Sequence, residues 1–313
     1  MQILITGVGG LIGSHLADEL LSQGHTVIGI DNFSFGNRNN IKHLNDRFYF
    51  YEHDISKEFP KLFIDVDVVF HLAAYKKAPK DSIDSSDVML TNVNMIKNVI
   101  DYVQDRDIPL IFTSTSDVYG NSENFLEDES VTIGPPNVER YSYAMSKLFD
   151  EQLLLNLVNE NKIKCIIPRI FGCFSERSNK GWSGGHIPLF IDKAINDEDI
   201  MIHGDGKQTR SMCYVSDIID GLIKILENRD NLNGEILNIG SSEEMSVVDC
   251  AKLIIKLCNS KSKIRFIDGK DIFGNYKEIR RRSANTDKMK KLTNYIQKTS
   301  FVEKLKKVIN HVK

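Results

Sequence analysis

Two hydrophobic patterns alternate along the first half of the chain. Apolar residues recur at helical spacing in residues 11–24, 91–104 and 142–161. Short runs rich in β-branched and aromatic residues lie between these helical segments or beside them: "QILIT" (2–6), "TVIGI" (26–30), "FYFYE" (48–52), "VDVVFHL" (66–72), "PLIFTS" (109–114) and "IKCIIP" (163–168). Near-continuous apolar strands that alternate with helices predict an α/β fold, with a doubly wound parallel sheet covered by helices on both faces.

The pattern changes after about residue 170. A polar, glycine-bearing stretch (172–186) comes first, and shorter, mixed elements follow it. Among them, "EILNIG" (235–240) predicts one more strand of the main sheet, and residues 246–259 predict a helix with a capping box from Ser246 to Asp249. We therefore expect a smaller α/β domain that is partly interleaved with the first. The predicted domains are residues 1–170 plus about 212–240, and about 171–211 plus 241–313.

Composition narrows the class of protein. The 313 residues are 41% hydrophobic and 27% charged, as in an ordinary globular protein, and the net charge of −3 gives no reason to expect nucleic acid. No apolar run approaches the ~20 residues that span a bilayer, and the chain opens on a strand, so we expect no membrane segment, signal or transit peptide. The five cysteines form no C-x-x-C pair and the eight histidines show no ligand spacing, which predicts a cytoplasmic protein with reduced thiols and no metal.

A glycine-rich turn, "ITGVGGLIGSH", joins the first strand to the first helix. The spacing G-x-G-x-x-G fails because Ile12 stands at its last glycine position, but T-G-x-x-G-x-x-G fits with Gly7, Gly10 and Gly13. Such a turn lets the backbone approach a pyrophosphate closely while the amides of a helix N-terminus face the anion. The turn, including Leu11 and Ile12, therefore predicts a Rossmann-type dinucleotide site.

The second strand ends at Asp31, which Asn32 follows. An acidic residue at this place bonds both ribose hydroxyls of an adenosine and repels a 2′-phosphate, so NAD is favoured over NADP. The alternative is a plain turn residue, and Arg38 downstream would offset part of the repulsion. Asp54, with Ile55 after it, follows the third strand and is a candidate for binding the adenine amino group, or equally a turn residue.

The stretch "YSYAMSK" places Tyr143 and Lys147 four residues apart, on one face of a helix. A tyrosine that acts as a base near neutral pH needs its pKa lowered by ~3 units, which is about 4 kcal/mol of preferential stabilisation of the phenolate. An ammonium one turn away and a positive nicotinamide ring are suitable sources. The pattern is common on helices, but here it accompanies the glycine turn, Asp31 and the hydroxyl-rich strand end "TSTS".

These motifs together carry a family resemblance. The chain resembles extended short-chain dehydrogenases/reductases of the NAD-dependent nucleotide-sugar epimerase/dehydratase/decarboxylase group. The matching stretches run in family order over nearly the whole chain: "TGVGGLIG" (6–13), "IDN" (30–32), "FHLAA" (70–74), "TN" (91–92), "STSDVYG" (114–120), "YAMSK" (143–147), "PRIFG" (168–172), "GDGKQTR" (204–210) and "RRRSAN" (280–285).

The resemblance implies an enzyme that oxidises a nucleotide sugar, most simply a UDP-sugar, at carbon 4. It implies that Tyr143 takes a proton from the carbon-4 hydroxyl while hydride passes to a bound, recycled NAD. By the same resemblance Lys147 lowers the pKa of Tyr143 and holds the nicotinamide ribose, and Thr115 bonds the reacting hydroxyl. Further cofactor contacts are implied at Leu72, Ala73, Ala74, Asn92 and Pro168.

Four residues match substrate-binding positions of the group: Arg140, Gly172, Arg210 and Arg282. The two last-named arginines match arginines that grip a nucleotide diphosphate, a task suited to a forked guanidinium. Where this chain has Gly172 the group often has asparagine, so the substrate contacts of that loop stay open. The group also commonly pairs through the helices that correspond to residues 91–105 and 142–160, which implies a homodimer.

The stretch "TSTSDVYG" does not decide which reaction follows the oxidation at carbon 4. Dehydratases of the group typically read "TDEVYG", so Ser116 and Asp117 disfavour dehydration. UDP-glucuronate decarboxylases typically read "TSEVYG" and carry an arginine three residues before the catalytic tyrosine, where this chain has Arg140. A 4-epimerase needs no further acid. We favour a 4-epimerase, with a decarboxylase, in which Asp117 would act at carbon 5, as the alternative and a dehydratase as the third. A non-enzymatic NAD-binding sensor is disfavoured because the tyrosine, the lysine and the glycines are all present.

Overall fold

The structure, a computed structural model, describes residues 1–44, 46–76, 84–122, 124–128, 131–179, 185–268 and 278–313. In chain order the strands are β1 (Gln2–Thr6), β2 (Thr26–Asp31), β3 (Phe48–Glu52), β4 (Val68–His71), β5 (Leu110–Phe112), β6 (Ser114–Thr115), β7 (Cys165–Ile170), β8 (Gly172–Phe174), β9 (Ile200–His203), β10 (Thr209–Tyr214), β11 (Ile236–Ile239), β12 (Glu244–Ser246), β13 (Ile264–Ile267) and β14 (Arg281–Arg282). The helices are α1 (Leu11–Ser22), α2 (Ser85–Gln104), α3 (Ser142–Asn159), α4 (His186–Ile195), α5 (Val215–Glu227), α6 (Val247–Cys258), α7 (Asp287–Thr293) and α8 (Phe301–Val312).

The main sheet is parallel, with the strand order β11-β7-β5-β4-β1-β2-β3, and β6 pairs with β7. The order reverses between β1 and β4, and ligands of such open sheets bind outside the carboxyl ends of the strands at this reversal. The glycine turn follows β1, and the loop of residues 72–76 follows β4. The fold therefore places both segments at the expected ligand crevice.

Alternating residues of each strand bury opposite faces of the sheet. Ile3 and Ile5 of β1 join one apolar cluster with residues of α1 and α5, whereas Leu4 between them joins a second cluster with residues of α2 and α3. Both clusters are closed to solvent, so the strands are apolar at nearly every position. The predicted doubly wound parallel sheet, with helices on both faces, is confirmed.

The chain after β7 builds a smaller region beside the carboxyl ends of the main strands. Its sheet is centred on β10, which pairs with β8 and β14 in parallel and with β12 antiparallel, and β9 pairs with β13. In this sheet Arg210 lies in register with Arg282. Strand β11, in contrast, belongs to the main sheet. The predicted domain limits stay a prediction, although the chain does pass between the two sheets.

Several local predictions can be compared with the structure. The hydroxyl of Ser246 accepts a hydrogen bond from the Asp249 amide (3.1 Å), which is one of the two bonds of a capping box, and donates one to the Asp249 carboxylate (2.7 Å) in place of the other. Helix α2 begins at Ser85, six residues before the predicted segment. None of the described helices combines the length and the apolarity needed to cross a bilayer.

Candidate active site

The glycine turn after β1 is built on close backbone approaches. Gly7 has φ +74°, and its amide donates to the Ile30 carbonyl at 2.8 Å. A Cβ on Gly13 would lie 2.3 Å from the Gly7 carbonyl oxygen, and a Cβ on Gly7 would lie 2.7 Å from the Ala73 nitrogen. Neither position admits a side chain without moving backbone, so the turn brings β1, α1 and the loop after β4 together.

Helix α1 leaves its N-terminal amides available to a ligand. Gly10 is the N-cap residue and supplies no side-chain acceptor, and the Ser14 amide donates to the Gly10 carbonyl at 3.1 Å. The amides of Leu11, Ile12 and Gly13 precede that bond, and the first amides of a helix have no intrahelical acceptor. This helix end fits the pyrophosphate of a dinucleotide.

The carboxylate of Asp31 lies at the end of β2 and is only 8% exposed. One oxygen accepts a hydrogen bond from the Gly9 amide (2.8 Å) and the other from the Phe33 amide (2.7 Å). Burial raises its pKa, and these amides oppose the rise. Since each carboxylate oxygen has two lone pairs, both can still accept a ribose hydroxyl. Asn32 forms an ordinary turn, in which its side-chain oxygen accepts from the Ser34 amide at 2.9 Å.

The Arg38 guanidinium binds other protein groups and so does not favour a 2′-phosphate. Its guanidinium pairs with Glu52 at the end of β3 and lies 4.3 Å above the Phe33 ring. The charge beside the expected ribose is therefore the anion of Asp31, which supports NAD rather than NADP.

The residues after β3 form a local turn. Asp54 Oδ1 accepts from the Ser56 amide (3.0 Å) and from the Ser56 hydroxyl (2.7 Å). Ile55 is buried, and its carbonyl accepts from Asn98 of α2 at 2.8 Å. These contacts give Asp54 and Ile55 structural roles in the turn and against α2. The contact of Asp54 with the adenine stays a prediction.

The loop after β4 is tied to β1 and to α2. The amides of Leu72 and Ala73 donate to the carbonyl (3.2 Å) and the hydroxyl (3.3 Å) of Thr6. Asn92 is buried, and it bonds both the amide and the carbonyl of Tyr75, at 2.8 and 3.0 Å, and also Ser146 of α3 at 3.0 Å. Asn92 therefore positions this loop, and with it Ala74. Buried Pro168 lies in the middle of β7, beside Leu237 of β11. Direct cofactor contacts of these residues stay predictions.

Lys147 is almost completely buried beneath the site. Its side chain is 2% exposed, its ammonium donates to the Thr113 carbonyl at 3.2 Å, and it lies 4.2 Å above the Phe112 ring. Burial lowers its pKa to about 8, although the carboxylates of Asp150 and Glu151 raise it. Lys147 is thus a desolvated cation at the carboxyl end of β5, where a nicotinamide ribose is expected.

The protein's own groups raise the pKa of Tyr143 and do not lower it towards that of a general base. Burial raises its pKa well above the ordinary value, and the negative charges of Asp117 and Asp150 raise it further. Lys147 is not among the groups that shift this pKa, and its expected lowering of the Tyr143 pKa stays a prediction. The cation nearest to the tyrosine ring among the described contacts is Lys76, with its ammonium 5.0 Å from the ring centroid. The positive charge of a bound nicotinamide is the remaining source named above.

A short turn orients Asp117 towards Tyr143. Thr115 ends β6, and its hydroxyl accepts from the Asp117 amide at 3.1 Å, which caps the 3-10 turn Ser116–Tyr119. This turn and β6 pack against α3, the helix that carries Tyr143 and Lys147. The structure therefore brings the predicted catalytic residues to one place, between the end of β6 and α3.

Asp117 is the centre of a cluster of charges. Its Oδ2 accepts from the Lys76 ammonium at 3.2 Å, and its Oδ1 accepts from the Arg282 guanidinium. Burial raises the pKa of Asp117, but Lys76, Arg282 and Arg140 together hold it well below its usual range. The carboxylate is therefore ionised throughout the physiological pH range. We call Asp117, Lys76, Arg282 and Arg140 the charge cluster.

The other predicted substrate residues lie on strands of the smaller sheet. A Cβ on Gly172 would meet the Met212 sulfur at 2.1 Å, so the family's asparagine would not fit while Met212 stays in place. Arg210 bonds the Ile279 carbonyl (2.8 Å) and pairs with Glu278 (2.5 Å), whereas its neighbour Arg282 reaches Asp117. A diphosphate contact of either arginine stays a prediction.

The sequence patterns did not predict two functional features. Lys76 follows "FHLAAY" by one residue and shows no spacing relation to the catalytic motifs. Glu151 and Arg169 form a buried two-pronged ion pair between α3 and β7, with bonds of 3.0 and 2.6 Å. Glu151 lies one helical turn after Lys147. The sequence signal that could have indicated the pair is a glutamate in a predicted helix together with an arginine directly after the predicted apolar strand that follows it.

Comparisons with known proteins agree on one family. A family model described as the NAD dependent epimerase/dehydratase family matches residues 3–240. A UDP-N-acetyl-alpha-D-glucosaminuronate decarboxylase of Bacillus cytotoxicus is 34% identical over 98% of this chain and 96% of its own length. UDP-glucuronic acid decarboxylase 3 of Arabidopsis thaliana is 33% identical over 86% of this chain and 78% of its own. The crystal structure of UDP-glucuronic acid 4-epimerase from Bacillus cereus, in complex with UDP-glucuronic acid and NAD, matches with a TM-score of 0.86 and 28% identity over 100% of this chain and 99% of its own.

Proposed function

Because the chain belongs to the NAD-dependent epimerase/dehydratase family, we propose that it acts on a UDP-linked uronic acid, which it oxidises at carbon 4 and decarboxylates. Family membership confirms the expectation of an enzyme that uses NAD. The preference for a 4-epimerase drawn from the sequence is no better supported than its alternative, since the two sequence relatives described above are decarboxylases by name.

The charge cluster is the observation that carries the proposal. Two cations, Lys76 and Arg282, bond the single carboxylate of Asp117 beside Tyr143, so positive charge exceeds negative charge within this group where the sugar is expected. Desolvated charges are unfavourable unless they are paired. A carboxylate at carbon 6 of the sugar, next to the carbons that react, would pair with this excess, whereas a neutral hydroxymethyl group would not.

The residues fit the cofactor that the family implies. The turn of Gly7 and Gly13 excludes side chains, the first amides of α1 have no intrahelical acceptor, and Asp31 retains acceptor capacity for a ribose. Lys147 lies where it can bond the nicotinamide ribose. When bound, NAD supplies an acceptor for the hydride of carbon 4 and later its donor.

Each proposed catalytic residue has a separate task in this reaction. Tyr143 takes the proton of the carbon-4 hydroxyl, which Thr115 positions by a hydrogen bond. The ketone at carbon 4 then stands β to the carboxylate, so the bond between carbons 5 and 6 can break with its electron pair delocalised onto the carbon-4 oxygen. Asp117, held ionised by its cations, orients Lys76 and Arg282 and does not itself carry the proton.

Product analysis tests the proposed function. The protein with NAD is incubated separately with UDP-glucuronate, UDP-N-acetylglucosaminuronate, UDP-glucose and UDP-N-acetylglucosamine, and the products are identified by mass and chromatography. We expect loss of carbon dioxide from a uronate and little turnover of the two neutral sugars. Tyr143→Phe should abolish turnover. Turnover of the neutral sugars only, or substantial activity of the phenylalanine variant, would contradict the proposal.

A second candidate is 4-epimerisation of the same class of substrate. The similarity to a UDP-glucuronic acid 4-epimerase favours it, and the charge cluster would hold the same carboxylate. The same incubation separates the two reactions, because an epimerised uronate keeps its mass and changes its retention time.

We further propose a homodimer through α2 and α3. Leu90 on α2 is 62% exposed and Phe149 on α3 is 53% exposed, and the two helices pack side by side on one face of the sheet. Analytical ultracentrifugation of Phe149→Arg should show a monomer. Phe266→Arg, which alters an exposed aromatic residue on β13, is the control and should leave the dimer intact. A monomeric wild type, or a dimeric Phe149→Arg variant, would rule out this interface.

A further inference from the structure

The three cations of the charge cluster differ in one chemical property. A lysine ammonium can release a proton, whereas an arginine guanidinium stays protonated in proteins. Decarboxylation leaves carbon 5 with a lone pair that must receive a proton. Arg282 and Arg140 therefore cannot supply it, and Asp117, which is ionised, has none to give. Lys76 is the member of the cluster that does.

The position of Lys76 suits this task. Its ammonium lies 3.2 Å from Asp117 Oδ2 and 5.0 Å from the centroid of the Tyr143 ring. Carbon 5 is bonded to carbon 4, whose hydroxyl Tyr143 is proposed to deprotonate, so a donor at this distance from the ring is within reach of the expected place of carbon 5. The side chain is 39% exposed, which gives it access to solvent for recovering a proton.

Each carboxylate oxygen of Asp117 binds a different cation. Arg282 bonds Oδ1 and Lys76 bonds Oδ2, so one carboxylate holds a permanent cation and a proton donor side by side. The permanent cation suits the leaving carboxylate, because it binds that charge without protonating it.

Resting on the proposed decarboxylation, we propose that Lys76 is the general acid that protonates carbon 5. The bond between carbons 5 and 6 breaks, carbon dioxide leaves, and the electron pair forms an enolate over carbons 5 and 4. An N–H of Lys76 then donates its proton to carbon 5 and the ketone at carbon 4 re-forms. The neutral amine regains a proton from water, so one solvent proton replaces each carbon dioxide lost.

Two variants separate proton donation from charge. Lys76→Arg keeps a cation against Asp117 but removes the releasable proton, and Lys76→Met removes both. Lys164→Met is the control, since Lys164 forms an exposed pair with Asp107 at 2.7 Å, away from the site. The wild type and the full-length variants with NAD are given UDP-glucuronate or, separately, UDP-N-acetylglucosaminuronate in deuterated water. The readouts are carbon dioxide, deuterium at carbon 5, and the 4-keto sugar together with reduced nicotinamide absorbance.

We expect the wild type and the control to release carbon dioxide and to form a pentose with one deuterium at carbon 5. Lys76→Arg should lose about 100-fold or more in turnover, the range of a positioned general acid, and should accumulate reduced nicotinamide. Turnover of Lys76→Arg close to the wild-type rate would overturn the role of Lys76 as general acid but not the proposed decarboxylation. A Lys76→Arg variant that neither oxidises the substrate nor accumulates reduced nicotinamide would also overturn it, because Lys76 would then serve binding. A wild type that releases no carbon dioxide from either uronate would instead overturn the proposed function.

Discussion

Removing one partner of the buried ion pair between α3 and β7 should destabilise the fold strongly. Glu151 and Arg169 are 2% and 3% exposed, and the guanidinium makes two bonds to the carboxylate, of 3.0 and 2.6 Å. Burial opposes the charge of Arg169, but the bonds that it donates to Glu151 raise its pKa overall. Because a guanidinium stays protonated in proteins, the arginine keeps its charge when its partner is lost. The glutamate lies one turn beyond Lys147, so the pair also fixes the helix that carries the catalytic residues.

Glu151→Gln should lower the free energy of unfolding by about 3–5 kcal/mol, the cost of leaving one buried charge without its counter-charge. The double variant Glu151→Leu/Arg169→Met removes both charges and should recover most of this loss, because apolar side chains of similar size often replace a buried pair without cost. Urea denaturation, followed by circular dichroism and fitted by linear extrapolation, gives the free energy of each variant.

An exposed ion pair of α2 provides the control. Lys97 and Asp101 are four residues apart, both more than 60% exposed, with a contact of 3.0 Å. Asp101→Asn should cost no more than about 0.5 kcal/mol, as exposed helical pairs do. The reasoning would be refuted if Glu151→Gln cost as little as the control, or if the apolar double variant were less stable than Glu151→Gln.

Three further predictions concern the site. Asp117→Asn should reduce kcat/KM for a UDP-uronate at least about 30-fold, because truncating a partner of hydrogen-bonded buried charges costs about 2–5 kcal/mol; steady-state kinetics with a loss of less than about threefold would contradict this. The kcat/KM profile should fall as pH rises through about 8, where Lys147 loses its proton. Asp150→Asn should move this fall to lower pH, because the Asp150 carboxylate raises the pKa of Lys147; a fall that stays in place or moves to higher pH would count against the assignment. Gly13→Ala should weaken NAD binding about tenfold or more, since its Cβ would lie 2.3 Å from a backbone oxygen and overpacking costs about 1–3 kcal/mol; calorimetric titration with wild-type affinity would contradict the fit.

The main sheet was predictable because its signals are local. The first apolar run, residues 2–6, coincides with β1, and β3 coincides with residues 48–52. The glycine turn was predictable for the same reason, since its spacing alone specifies the close approach to α1. The predicted helix at 91–104 missed the first six residues of α2, because residues 85–90 include polar positions that do not show the apolar spacing.

The charge cluster was not predictable, because its contacts join distant parts of the chain. Lys76 reaches Asp117 across 41 residues and Arg282 reaches it across 165 residues. The sequence singled out Asp117 and Arg282 through motifs but assigned them separate tasks, at carbon 5 and at the diphosphate. The raised pKa of Tyr143 was missed for a related reason, since the burial of the ring and its closeness to Asp117 depend on how β6 and α3 meet. Sequence spacing shows the lysine one turn away but not the desolvation.

The most direct test of the proposed function follows the carboxyl carbon of the substrate. UDP-glucuronate labelled at carbon 6 is incubated with the wild-type protein and NAD, and the label is measured in trapped carbon dioxide and in the remaining nucleotide sugar. We predict that the label leaves as carbon dioxide in step with the formation of a UDP-pentose. Label that stays in the nucleotide sugar while its retention time changes would show epimerisation and contradict the proposed decarboxylation.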